Sequence, residues 1–215
     1  MSAPIHIPRR TLDRWRSELS DWMDADAFRL RVDQIIRPLS RQVFFFGQAG
    51  LAFLRDAWIA ARAATALSSD LVRLVPADRP DFEIQIDGEI QQFEATEADQ
   101  EGRRRGDEHE PAELTPDPAE KWRERFEAIP AALDRVVTKK IGKDYPPGVG
   151  LMVYVNLGCY GAFLDEGFPI LQSGTAKAKD KFRIVFVMWE GTLYKLWEDG
   201  RPASSQWQYS RMDDF

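Results

Sequence analysis

The stretch RPDFEIQIDGEIQQFEATEA, residues 79–98, decides the reading of this chain. DFEIQID (81–87) and EIQQFEAT (89–96) alternate apolar with polar residues, as a strand with one buried face does. They flank Asp87-Gly88, the dipeptide of a two-residue hairpin loop. With that loop, Ile86 faces Glu89, and Phe82 faces Phe93 as a cross-strand aromatic pair. On the opposite face Asp81 lies across from Glu94, and Glu83 across from Gln92. Directly opposed side chains have Cβ atoms about 4.5–5.5 Å apart. Asp81, Glu83 and Glu94 are therefore expected to cluster, with Gln85 and Gln92 beside them. Opposed like charges destabilise a sheet, and burying them unpaired costs more. A divalent cation would offset this, because Mg²⁺ takes one or two carboxylates and completes its shell with water and phosphate oxygens. The competing reading is an ordinary solvated face, and a longer loop or a bulge would break the register.

A second anomaly lies downstream. In AALDRVVTKKIGKDY (131–145), Leu133, Val136, Val137 and Ile141 form an apolar stripe at helical spacing. Lys140 falls near the centre of that stripe, with Lys139 and Lys143 further round. A lysine is almost never fully buried without a partner, and a carboxylate cluster on a sheet beneath would supply one. The alternative is a snorkelling lysine, its stem on apolar surface and its amine in water.

Outward from these two segments, residues 10–67 read as helical. Leu12, Trp15 and Leu19, followed by Trp22, mark one helix, and Ala27 to about Leu39 a second. GQAGLAFLRDAWIAARAATAL (47–67) is the third, apolar on most faces and therefore a buried helix on a sheet. Phe44–Phe46 read as core. LVRLVPA (71–77) is a short strand, and 97–118 a polar, mobile loop. Asp117-Pro118 signals a helix start, with a break at Pro130 and continuation to about Lys143. GLMVYVNLG (150–158) is a central strand, and 165–180 is helical or irregular. RIVFVMW (183–189) and TLYKLW (192–197) form a second hairpin around Glu190-Gly191. The order predicts an α/β fold with a mixed sheet covered by helices.

The chain has 215 residues, net charge −6 and 44 % apolar residues, enough for a real core. An acidic chain binds nucleic acid only through a local basic surface or a metal ion. One cysteine, Cys159, excludes an internal disulfide and fits a reducing compartment. MSAPIHIPRRTLDRW lacks the apolar core of a signal peptide, and no run reaches membrane-spanning length. The expectation is a cytoplasmic protein with no membrane partner.

Pro80-Asp81, then Glu94-Ala95-Thr96 on the next strand, resembles the PD-(D/E)XK nuclease superfamily, the restriction-endonuclease-like fold. So does the order helix (47–67), three strands, lysine-bearing helix, strand LMVYVN. The resemblance covers roughly residues 47–160. It implies an N-terminal helical extension (1–46) followed by a restriction-endonuclease-like α/β domain (47–215). It further implies a metal-dependent nuclease in which Asp81 and Glu94 bind Mg²⁺ or Mn²⁺. The position of the family's lysine, two after the second acid, is Thr96. Some members recruit a lysine from the following helix, which points to Lys140, with Lys139 and Lys143 as alternatives. Lys140 would orient the attacking water or stabilise developing charge, and Glu83, Gln92 and Thr96 would stand around the metal. The partner would be nucleic acid, DNA before RNA. An inactive relative that binds nucleic acid or a protein is the alternative.

Other features carry less. Arg103–Arg105 could grip phosphate or be solvated. His6 and His109 lack ligand-spaced partners, and Cys159 reads as a core thiol. Gly148, Gly150, Gly158 and Gly161 form no dinucleotide or phosphate-loop fingerprint. Trp189, Tyr194, Trp197, Trp207 and Tyr209 could stack bases, fill the core, or join copies in a homo-oligomer.

Overall fold

The structure, a computed structural model, describes residues 7–39, 50–99 and 119–209. The expectations for Phe44–Phe46, Arg103–Arg105, His6, His109 and the Asp117-Pro118 helix start lie outside the described residues. The chain divides into two compact units, and the division falls at Ile90/Gln91.

The first unit holds α1 (Arg9–Leu19), β1 (Met23–Asp24), α2 (Ala25–Ile36), α3 (Ala52–Ala66), β2 (Leu71–Leu74) and β3 (Phe82–Ile86). The two helices read as an N-terminal extension therefore share a unit with α3. Trp22 lies beyond the end of α1, and the Arg73 guanidinium stands 4.5 Å over its ring. The Asp24 carboxylate caps α2, accepting from the N–H groups of Asp26 and Ala27 at 2.9 and 3.2 Å. That cap starts the helix two residues before Ala27. Helix α3 is buried along nearly its whole length, including Leu54, Ala57, Ile59, Ala60 and Ala64, as its composition predicts. Its one strongly polar buried residue, Arg62, donates to Asp33 of α2 at 2.9 Å. Strands β1, β2 and β3 are antiparallel, with Arg73 opposite Glu83 and Leu74 opposite Phe82. After β3, Asp87 and Gly88 have φ of 51° and 80°. Both signs are those of the type I′ loop that Asp-Gly favours.

Strand β4 (Glu89–Ala98) crosses the division and lies mostly in the second unit. There follow α4 (Ala119–Ile141), β5 (Gly150–Val155), α5 (Leu164–Thr175), β6 (Ile184–Trp189), β7 (Thr192–Glu198), β8 (Arg201–Pro202) and β9 (Gln206–Gln208). Strands β4, β5 and β6 run parallel, while β6–β7, β7–β8 and β7–β9 are antiparallel. The sheet is thus mixed and α/β. Leu151, Met152 and Val153 of β5 are fully buried, as a central parallel strand requires. Phe126, Ile129, Leu133 and Val137 of α4 bury in one core with Leu151, Val153, Val185 and Val187.

Two expectations change. Helix α4 does not break at Pro130 but runs as one 23-residue helix through it. Pro130 is exposed and lacks the N–H that would reach the Phe126 carbonyl. The cost, about 3 kcal/mol, is offset by burying one continuous stripe on both sides of it. The loop expected from residue 97 starts later, since Glu97 and Ala98 extend β4 alongside Tyr154 and Val155. A third dipeptide loop, Asp199-Gly200 with φ of 49° and 76°, adds β8, a strand of only two residues beyond those expected.

Candidate functional site

The stripe of α4 continues past Val137 into Lys140, which is 9 % exposed. Its ammonium donates to Glu94 Oε1 at 2.6 Å and to the Ala95 carbonyl at 2.6 Å. Glu94 is 2 % exposed and sits on β4 opposite Leu151. Helical period and strand alternation together explain the meeting. Lys140 lies on the face of α4 that buries, and Glu94 shares its face of β4 with Ala98, two of whose companions in the core are Leu133 and Val137. Of the three candidate lysines, Lys140 is the one that meets Glu94. Lys139 is exposed and Lys143 half-buried. Taking two opposite charges out of water is costly, and the short contact plus a second acceptor on the backbone is what makes it tolerable.

Gln92 and Thr96 flank Glu94 on β4, both half-buried. Thr96 stands opposite Val153. Asp81 and Glu83 belong to the first unit. Glu83 is engaged there by Arg73, whose Nε and Nη2 lie 2.8 and 2.7 Å from Oε2. The opposed like charges drawn from the hairpin thus have, at Glu83, an arginine partner on β2. This partner depends on the β2–β3 register, which no local pattern in the sequence fixes. Asp81 is half-buried and lines a cavity of about 380 Å³ with Arg16, Phe53, Asp56 and Asp78. Among the described residues, no group of three or more His, Cys, Asp and Glu side chains is arranged to hold a metal ion.

The aromatic residues weighed as a stacking platform go mostly into the core. Trp189, Tyr194, Trp197 and Tyr209 are 0, 6, 8 and 5 % exposed, and Trp207 packs near Phe186. Cys159 is fully buried, as expected of a core thiol. Burial, reinforced by the Glu190 carboxylate, pushes its pKa up to about 12, so it is protonated and unreactive at neutral pH.

No helix among the described residues is long and apolar enough to cross a membrane. Comparisons of the chain with protein-family models, with curated proteins and with solved structures each give no match.

Proposed function

We propose that the chain is a metal-dependent phosphodiesterase of the restriction-endonuclease-like class, acting on nucleic acid. The observation that supports this is the buried contact between Lys140 Nζ and Glu94 Oε1 at 2.6 Å. A cation absent from the motif position Thr96 meets the motif's second acid from the helix before β5. The order α3, β2, β3, β4, α4, β5, with β4 and β5 parallel, is the order on which the resemblance rests.

The donors fit a hard cation: the candidate set is carboxylate oxygen, with neither imidazole nor thiolate. Glu94 and, on the sequence argument, Asp81 would hold Mg²⁺ or Mn²⁺. Such an ion supplies Lewis-acid stabilisation of charge on a phosphate and acidifies a water. The chain's own residues do the rest. Lys140 fixes one oxygen of Glu94 and so orients the carboxylate. The Ala95 carbonyl holds the ammonium in place. The fixed positive charge beside Glu94 is suited to orienting a water or donating to negative charge that develops on a phosphate.

The test is cleavage of DNA and RNA, single- and double-stranded, with Mg²⁺ or Mn²⁺. Cleavage should need the metal and should fall by roughly 10²-fold or more in Asp81→Ala, Glu94→Gln and Lys140→Met. Full cleavage by Lys140→Met refutes the assignment. Thr96 favours a second reading, an inactive module, which a wild type that binds nucleic acid without cutting under any metal would establish.

A further inference from the structure

Tyr160, in the segment after β5, is 65 % exposed. Its backbone φ is +54°, and Gly161 follows at +76°. The Ala162 N–H donates to the Cys159 carbonyl at 3.0 Å, closing a turn with both central residues left-handed. Such a turn favours Asn, Asp or Gly at its first central position. The other non-glycine residues with positive φ, among those described, are Ser68, Asp87, Glu190 and Asp199. A bulky aromatic there is an outlier, and outliers of this kind gather at binding sites.

The fold holds the outlier in place from three sides. The Glu190 carboxylate accepts from the N–H of Cys159 and, at 2.7 Å, from that of Gly161, the residues on either side of Tyr160. Arg125 donates to the Gly158 carbonyl at 3.2 Å. Trp122 supports the tyrosine ring, centroid to centroid 5.0 Å. The first turns of α4 carry Lys121 and Arg123, both exposed. Arg123 lies 4.0 Å over the Phe163 ring and pairs at 3.4 Å with Glu166, whose side chain is 58 % exposed.

We propose that Tyr160 is a base-stacking platform for an unpaired nucleotide of a single strand, with Lys121 and Arg123 taking the adjoining phosphates. Any base offers a π-face to such a ring, so the site would be tolerant of sequence. A rigid ring loses little entropy on stacking. The proposal rests on nucleic acid being the partner, but not on catalysis.

The test is fluorescence anisotropy of a labelled single-stranded oligothymidylate with the full chain, Ca²⁺ replacing Mg²⁺. Tyr160→Ala and Tyr160→Gly should bind roughly ten-fold more weakly, and Tyr160→Phe within about two-fold of wild type. Glycine suits a positive φ, so Tyr160→Gly keeps the fold, which circular dichroism checks. Wild-type binding that survives intact in Tyr160→Ala and Tyr160→Gly overturns the platform and leaves the nuclease reading untouched. Tyrosine-dependent binding, together with no cleavage under Mg²⁺ or Mn²⁺, upholds the platform and defeats the catalytic reading. A wild type that does not bind the strand overturns the platform, and the nuclease reading is then decided by the cleavage assay on double-stranded substrates.

Discussion

Replacing Lys140 with methionine removes the ammonium and keeps most of the stem volume. The Lys140 and Glu94 side chains are 11 and 2 % exposed, so the carboxylate left behind remains out of water. Removing one member of a buried ion pair costs about 3–5 kcal/mol, because the partner's charge is left uncompensated. At a urea slope near 2 kcal/mol/M, that moves the unfolding midpoint down by about 2 M. Glu94→Leu strands the ammonium and should cost a similar amount. The double variant Lys140→Met/Glu94→Leu removes both charges and should recover most of either loss, since well-packed apolar pairs replace buried ion pairs at little or no cost. Urea unfolding of the four proteins, followed by circular dichroism, measures the cycle. A loss below about 1 kcal/mol in Lys140→Met refutes the reasoning. The amine would then lie in water in solution, as a snorkelling lysine does.

Two further outcomes follow from the packing of the second unit. A Cβ on Gly150 would stand 2.6 Å from Phe93 and 2.7 Å from Ile184, so Gly150→Ala should lose about 1–3 kcal/mol in the same urea experiment; an unchanged midpoint would contradict the close approach of β5 to its neighbours. Cys159, with its pKa raised from 9.0 to about 12, should resist a thiol reagent at pH 8 until the chain is unfolded. Its sign in the pH dependence is fixed. The unfolded thiol loses its proton first, so this contribution is whole below pH 9 and is lost as pH rises toward 12, at up to about 1.4 kcal/mol per pH unit. Cys159→Ala should flatten that part of the stability curve, and an unaltered slope would show the thiol to be solvated.

Much of this was legible because it depends on local period. The Asp-Gly and Glu-Gly loops, the buried α3 and the central β5 follow from turn chemistry and hydrophobic patterning within one segment. Lys140 was legible for the same reason: a 3.6-residue period places it among Leu133 and Val137 whatever lies beneath. What escaped depends on pairing across distance. Arg73 reaches Glu83 only because β2 and β3 align those residues. Glu190 holds the Tyr160 turn from 30 residues further along. The stripe of α4 survives Pro130 because tertiary burial on both sides outweighs the local preference to break. The Asp199-Gly200 loop is different. It carries the same signal as Asp87-Gly88, but the strand after it is only two residues long, too short to show alternation.

A buried ion pair is not by itself the mark of a site, and this chain carries its own control. Arg62 and Asp33 form a second one, at 2.9 Å, with side chains 4 and 15 % exposed. Both pairs join a helix stripe to a neighbouring element, and both give up stability relative to an apolar core. They differ in what surrounds the cation. Arg62 spreads its charge over a guanidinium that stands 5.0 Å from the Trp58 ring, between two helices. Lys140 concentrates its charge on one nitrogen, against a strand carboxylate and the next residue's carbonyl. A compact ammonium held beside a carboxylate can give up one acceptor for a phosphate or a water. A guanidinium between two packed helices has no such exchange to make. If the two pairs served folding alone, nothing would require the more strongly hydrated cation at the sheet, and an arginine at 140, or apolar residues at both 140 and 94, would serve there as well. On the proposed reading, the choice of lysine at 140, more than its burial, is the feature that a Lys140→Arg variant tests: stability kept and cleavage lost.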